Sequence, residues 1–277
     1  MESVVLRDGR VRPRPVELGL AASAVVLAGA AWALTGDRMA GMDAGPGTDL
    51  GGLGWFVGIW VTMMAAMMLP SITPMVVGYA RRTSTTSATA VFVAGYLVAW
   101  AGAGLLAYTI VEGVRGLGLG FLAWDESGPY VAGGVILAAA LYQLSPLKDG
   151  CLRQCRSPKM LLEHWRPGQV GALRMGVEHG GFCIGCRWAL MAALFALGVM
   201  SIAWMVFVAG LIAVEKLLPW RAVASRGIAL VLAVLAIAVA FTPADVPSLT
   251  IPGSPDAMQG MGMDRSPQSG SSGTDMP

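Results

Sequence analysis

Long apolar runs separated by short polar segments occupy most of this chain. Six of the runs lie at about 16–34, 55–79, 88–111, 130–147, 182–199 and 228–241. One more lies between the last two of these, starts at a turn near Ser201 and ends at Glu215 and Lys216. Roughly 20 apolar residues cross a bilayer core. Backbone groups in hydrocarbon must be hydrogen-bonded within the segment, and these runs lack the alternation of barrel strands. The pattern predicts an all-α, polytopic transmembrane helical bundle of about six to seven spans.

The segments around these runs divide the chain into three parts. Residues 1–15 are basic and broken by proline, which predicts a cytoplasmic arm. Residues 16–243 form the predicted transmembrane helical domain, and the first run lacks a cleavage site, which indicates a retained anchor. Residues 244–277 are rich in Gly, Ser, Pro and Met and predict a disordered tail that cannot form a core. Residues 173–181 predict a short interfacial helix before the fifth span.

Composition supports lipid as the main solvent of this chain. Hydrophobic residues make up 55% and charged residues 13% of the sequence, whereas soluble domains carry about 25% charged residues. The chain has few aromatic residues and no basic run, so we expect no nucleic-acid partner. The bilayer is therefore the predicted environment.

The basic residues predict the orientation of the bundle. With the N-terminus inside, only Arg38, Arg115 and Arg265 fall in outer segments, and Arg187 falls in a span. An excess of Lys and Arg in short loops marks the cytoplasmic side. We therefore expect a cytoplasmic N-terminus, an outer C-terminus and a location in the bacterial inner membrane.

All four cysteines lie in two close pairs, Cys151/Cys155 and Cys183/Cys186, near the predicted cytoplasmic face. Each spacing lets one helical turn present two sulfurs to one ion. Together the pairs predict a metal site, either a tetrahedral zinc site or a Cu(I) site of lower coordination. A thiol–disulfide exchange site is an alternative, in which Arg187 lowers a thiol pKa. Arg187 alternatively snorkels to the interface.

Methionines provide a second set of soft donors. The four in the second apolar run form one sulfur-rich helix face ahead of two prolines: Met63, Met64, Met67 and Met68. They either line an intramembrane metal path or fill irregular helix contacts. Six others fall in the predicted outer segments: Met39, Met42, Met258, Met261, Met263 and Met276. These six are either low-complexity sequence or soft ligands, since thioethers select Cu(I) over hard cations.

The two histidines, His164 and His179, are weaker candidate ligands at the predicted cytoplasmic face. No Ser/His/Asp order, acid pair or phosphate-cradling glycine loop is evident. We therefore expect no enzymatic activity, apart from the thiol redox alternative.

Several motifs resemble a bacterial family of predicted metal-binding integral membrane proteins, some of them labelled copper chaperones. The resemblance covers about 55–216, and its motifs are WVTMMAAMMLPSITPM, LYQLSPLKDGCLRQCRSP, HWRPG, GFCIGCRWALM and GVMSIAWM. The family pattern often reads Cys-x-Gly-Cys-Cys-Trp, and Arg187 replaces its last cysteine here. The resemblance implies that the four cysteines and the methionines of the second run are the metal-binding residues of this chain.

Together these observations predict a membrane protein that binds Cu(I) and exchanges it with a metal-donor or acceptor protein. Two alternatives stay open. One is a structural or partner-binding membrane scaffold with zinc, or nothing, at the cysteines. The other is a membrane thiol oxidoreductase.

Overall fold

The computed structural model describes residues 15–43, 45–47, 49–83, 85–118, 124, 126–156, 165–218, 220–252, 254 and 257, without the side chains of 15–17 and 221. These residues form eight α-helices and one short 3-10 helix, Pro243–Asp245. The α-helices are α1 (Pro15–Met39), α2 (Leu53–Thr83), α3 (Thr86–Gly116), α4 (Gly128–Gln143), α5 (Pro146–Arg156), α6 (Gly168–Leu197), α7 (Ile202–Leu217) and α8 (Arg221–Phe241).

The number of membrane-crossing helices follows from length and apolar character. Within the described residues, five helices (α1, α2, α3, α6 and α8) qualify, and α4 with α5 forms a sixth candidate broken by a bend of 68°. Helix α7 has 16 residues, fewer than the roughly 20 that cross a bilayer core. The predicted all-α, multi-span membrane fold is confirmed, and the side on which the N-terminus lies stays a prediction.

Helix α6 is the central element of the fold and differs from the sequence prediction. It runs without interruption from Gly168 to Leu197, so the predicted separate interfacial helix at 173–181 is wrong. Gly180 and Gly181, which resemble a helix break in sequence, lie inside this helix. Its main partners are α3, α4 and α5. The fifth span therefore begins well before residue 182, and the second cysteine pair lies near the middle of a 30-residue helix.

The predicted fourth span, 130–147, ends earlier than expected. Helix α4 ends at Gln143, and Pro146 starts α5 in a new direction. Proline fits the first turn of a helix, where its missing N–H has no partner to lose. The polar segment between the fourth and fifth apolar runs consequently begins with a helix, and that helix packs against α6.

Three glycines allow α3 and α6 to approach closely. A Cβ on Gly176 would lie 2.1 Å from the Phe92 carbonyl oxygen, and one on Gly95 would lie 2.3 Å from the Leu173 carbonyl oxygen. Gly180 follows Gly176 by one turn and would place its Cβ 2.6 Å from that of Ala99. Such small-x-x-x-small spacing lets backbones come together in membranes, where packing drives helix association.

Replacing Gly176 by alanine is therefore expected to destabilise the bundle, because overpacking costs about 1–3 kcal/mol. The thermal unfolding midpoint in mild detergent, followed by tryptophan fluorescence, measures this effect. Gly181→Ala is the matched control, since nothing lies within 4 Å of its Cβ position. That control should leave the midpoint unchanged or raise it, because alanine favours helix by about 1 kcal/mol. Equal midpoints for the two variants would show that close α3–α6 packing is not needed.

The segment after α8 packs back onto the bundle. Val246 and Leu249 are buried in the core. A Cβ on Gly45 would lie 1.9 Å from the Thr250 carbonyl oxygen. The packed part of the chain thus extends beyond the predicted boundary at 243, and most of the predicted tail lies outside the described residues.

Candidate metal centre

Helices α5 and α6 bring three of the four cysteines together. Cys183 and Cys186 are one turn apart on α6, and Cys155 comes from α5. Their three sulfur atoms lie within 4.8 Å of one another, and the Cys155 and Cys186 Sγ atoms are 3.7 Å apart. All three side chains are buried and carry no disulfide. The group therefore consists of free thiols from two helices.

The spacing of these sulfurs fits one soft metal ion. A metal–sulfur bond is about 2.3 Å, which places three sulfurs around one ion in a plane about 4 Å apart. Among the described residues, no fourth His, Cys, Asp or Glu belongs to this group. Structural zinc sites almost always have four ligands, whereas soft thiolates also suit Cu(I). The donor set is consistent with metal binding.

Cys151 lies outside the group, although it precedes Cys155 by one helical turn. It is half-buried, and a Cβ on Gly185 would lie 2.9 Å from its sulfur. Its sulfur is not among the three that lie within 4.8 Å of one another. The structure therefore brings together three of the four cysteines that the sequence predicted as ligands.

Tyr96 and His179 surround Cys183 on the side of α3. The Tyr96 hydroxyl is hydrogen-bonded to the Cys183 sulfur at 3.1 Å. His179 is buried between α3 rings, with its centroid 6.2 Å from that of Phe92 and 6.0 Å from that of Tyr96. His179 is not in the three-cysteine group, and His164 lies outside the described residues.

Comparison with known families identifies the family to which this chain belongs. The PpoB2 family model, described as copper chaperone, matches residues 57–239. The chain belongs to this copper chaperone family. No curated protein and no solved structure matches the chain. The predicted family resemblance is confirmed, and the match reaches past Lys216 into α8.

In this copper chaperone family member, the methionines of α2 lie in the core. Met63, Met64, Met67 and Met68 are all buried, on a helix whose main partners are α1 and α3. Of the predicted outer methionines, Met39 is buried and Met42 is half-buried against the core. The other four lie outside the described residues.

A buried charge network lies beside the cysteines and was not predicted as a unit. The side chains of Arg187, Glu215 and Lys148 are each 0% exposed. Glu215 accepts hydrogen bonds from both cations, and Lys148 also donates to Gln143. Snorkelling of Arg187 to the interface is therefore wrong. The only sequence signal was the presence of three charges next to apolar runs.

Proposed function

We propose that this membrane protein binds one Cu(I) ion at Cys155, Cys183 and Cys186 and passes it to a partner protein. The observation that carries the proposal is the grouping of three buried sulfurs from two helices within 4.8 Å. Membership of the copper chaperone family supports copper as the cargo. Three thiolates without a fourth ligand suit Cu(I) better than zinc, which favours four.

Transfer needs no change in oxidation state. A thiolate of the partner forms a bond to Cu(I) while the bond to one cysteine breaks, and the copper stays monovalent throughout. Cys155 is the first ligand to leave, because it lies at the second-last residue of the short helix α5. Cys183 and Cys186 lie on the long helix α6 and hold the ion during the exchange.

The location and partners follow from the sequence expectations. The protein lies in the bacterial inner membrane with a cytoplasmic N-terminus, and its partner is a metal-donor or acceptor protein. The α2 methionines offer weak thioether contacts along an intramembrane path. The protein acts by binding and delivery, without enzymatic turnover.

Metal loading of the detergent-purified protein under reducing conditions tests the proposal. The wild type is expected to take up about one Cu(I) per chain, because three cysteines suffice for one soft ion. A variant with Cys155, Cys183 and Cys186 all replaced by serine should take up almost none. Cys151→Ser is the matched control and should load like the wild type, because its sulfur lies outside the group.

Other loading results would contradict the proposal. Bound zinc, with no copper uptake, would favour a scaffold with a structural zinc site. Formation of a cysteine disulfide without metal uptake would favour a thiol oxidoreductase. Equal copper in the wild type and the triple variant would place the site elsewhere.

A further inference from the structure

The buried charges next to the three cysteines do not balance. Arg187 and Lys148 contribute two positive charges, and Glu215 contributes one negative charge, all on fully buried side chains. The Ser225 hydroxyl also lies 3.5 Å from a Glu215 oxygen, but it is neutral. An uncompensated buried charge is expensive in an apolar interior. The network therefore calls for an additional negative group.

The unpartnered donors of Arg187 lead to the same conclusion. Its Nη1 donates to Glu215, but its buried Nε and Nη2 have no hydrogen-bond partner in the described part of the chain. Buried donors almost always have partners, and a guanidinium donates through five N–H groups. Arg187 follows Cys186 directly in α6, so its positive charge lies close to the group. An anionic centre at the cysteines would compensate the positive charge of Arg187.

Lys216 adds a second cation near the cysteines from α7. Its half-buried side chain donates from Nζ to the Ser71 carbonyl oxygen of α2 at 2.5 Å. Ser71 lies between the two prolines of that helix, Pro70 and Pro74, and prolines weaken helical hydrogen bonding. Lys216 directly follows Glu215, which pairs with Arg187 next to Cys186. Its anchor on α2 thus holds a positive charge beside the group.

We propose that Arg187 and Lys216 determine the metal specificity of the three-cysteine centre by matching the charge of a bound monovalent ion. This inference rests on the proposed function. Three thiolates around Cu(I) carry a net charge of minus two, whereas three thiolates around Zn(II) carry minus one. The excess positive charge of the buried network, together with Lys216, neutralises the first complex and overcompensates the second. The two cations therefore favour Cu(I) as positioning residues that do not bind the metal.

Paired affinity measurements on Arg187→Gln test this inference. Cu(I) affinity is measured by competition with a chromophoric Cu(I) chelator, and Zn(II) affinity by competition with a zinc indicator. Residues outside the ligand set typically change metal affinity by about 10–100-fold. We expect Cu(I) affinity to fall by that factor and the ratio of Cu(I) to Zn(II) affinity to fall at least about 10-fold. Arg187→Lys should restore most of the ratio because it keeps the charge.

Two further variants separate specificity from folding. Lys216→Gln leaves the Arg187–Glu215 pair intact and should lower the ratio in the same direction. Arg174→Gln is the control, because Arg174 lies on the same helix α6 with an exposed side chain paired to Glu178. That variant should leave both affinities unchanged.

The possible results distinguish this inference from the proposed function. Equal loss of Cu(I) and Zn(II) affinity in Arg187→Gln and in Lys216→Gln would show a structural role and overturn the inference. No loss of either affinity in these two variants would overturn it too. With either result, Cu(I) binding by the wild type would still support the proposed function. A wild type that binds no Cu(I) would overturn both.

Discussion

Replacement of Glu215 by glutamine is expected to lower the free energy of unfolding by about 3–5 kcal/mol, the effect of removing one partner of a buried ion pair. Glu215 is the single described acceptor that pairs with both Arg187 and Lys148. Glutamine has nearly the same shape, so the variant removes the charge with little change in packing. Two cations would then share an apolar interior without a counter-charge. Such a loss is comparable to the total stability of many domains, about 5–15 kcal/mol.

Thermal unfolding in mild detergent, together with the yield of folded protein from membranes, measures this effect. Glu178→Gln is the matched control, because Glu178 also pairs with two arginines, Arg166 and Arg174, but with its side chain 40% exposed. Exposed pairs contribute about 0–1 kcal/mol, so this control should behave almost like the wild type. Equal behaviour of the two variants would show that the buried network does not stabilise the fold.

Replacement of Cys155 by serine is expected to remove most of the stabilisation of the protein by Cu(I). Cys155 is the only one of the three grouped cysteines on α5, so metal bound by all three ties α5 to α6. A ligand present at a thousand times its Kd stabilises the folded state by about 4 kcal/mol. Without Cys155 only the α6 pair remains, and we expect Cu(I) affinity to fall by more than the roughly 100-fold seen for residues outside the ligand set.

The measurement compares unfolding midpoints with and without buffered Cu(I). The wild type and the Cys151→Ser control should both show a rise in midpoint when copper is present. Cys155→Ser should show a much smaller rise. A full copper-induced rise in Cys155→Ser would mean that α5 does not contribute to the site.

The helical character of the fold was predictable because each apolar run is a local property of the sequence. The break at Pro146 and the continuity of α6 were not predicted correctly. Gly176 and Gly180 have the spacing of a close-packing motif, but the sequence was interpreted as a separate interfacial helix at 173–181. The continuity of α6 depends on its partner helix α3, where Gly95 leaves room for the α6 backbone. Helix partners are not a local property of the sequence.

The candidate site was predictable in part for the same reason. Two separated cysteine pairs indicated a shared site, and three of the four sulfurs do meet. The position of Cys151 depends on how α5 crosses α6 at Gly185, which the spacing within α5 does not contain. The buried network joins Lys148, Arg187 and Glu215 from three different helices. Each of these charges alone is also compatible with a position at the membrane interface.

The most direct test of the metal centre is copper K-edge X-ray absorption on the wild type loaded with Cu(I) under reducing conditions. We expect a monovalent edge and three sulfur neighbours at about 2.3 Å, the length of a metal–thiolate bond. We expect no nitrogen or oxygen ligand, because the donors grouped in the described part of the chain are Cys155, Cys183 and Cys186. A spectrum dominated by nitrogen or oxygen neighbours, or the absence of bound copper, would contradict a three-cysteine Cu(I) centre in this protein.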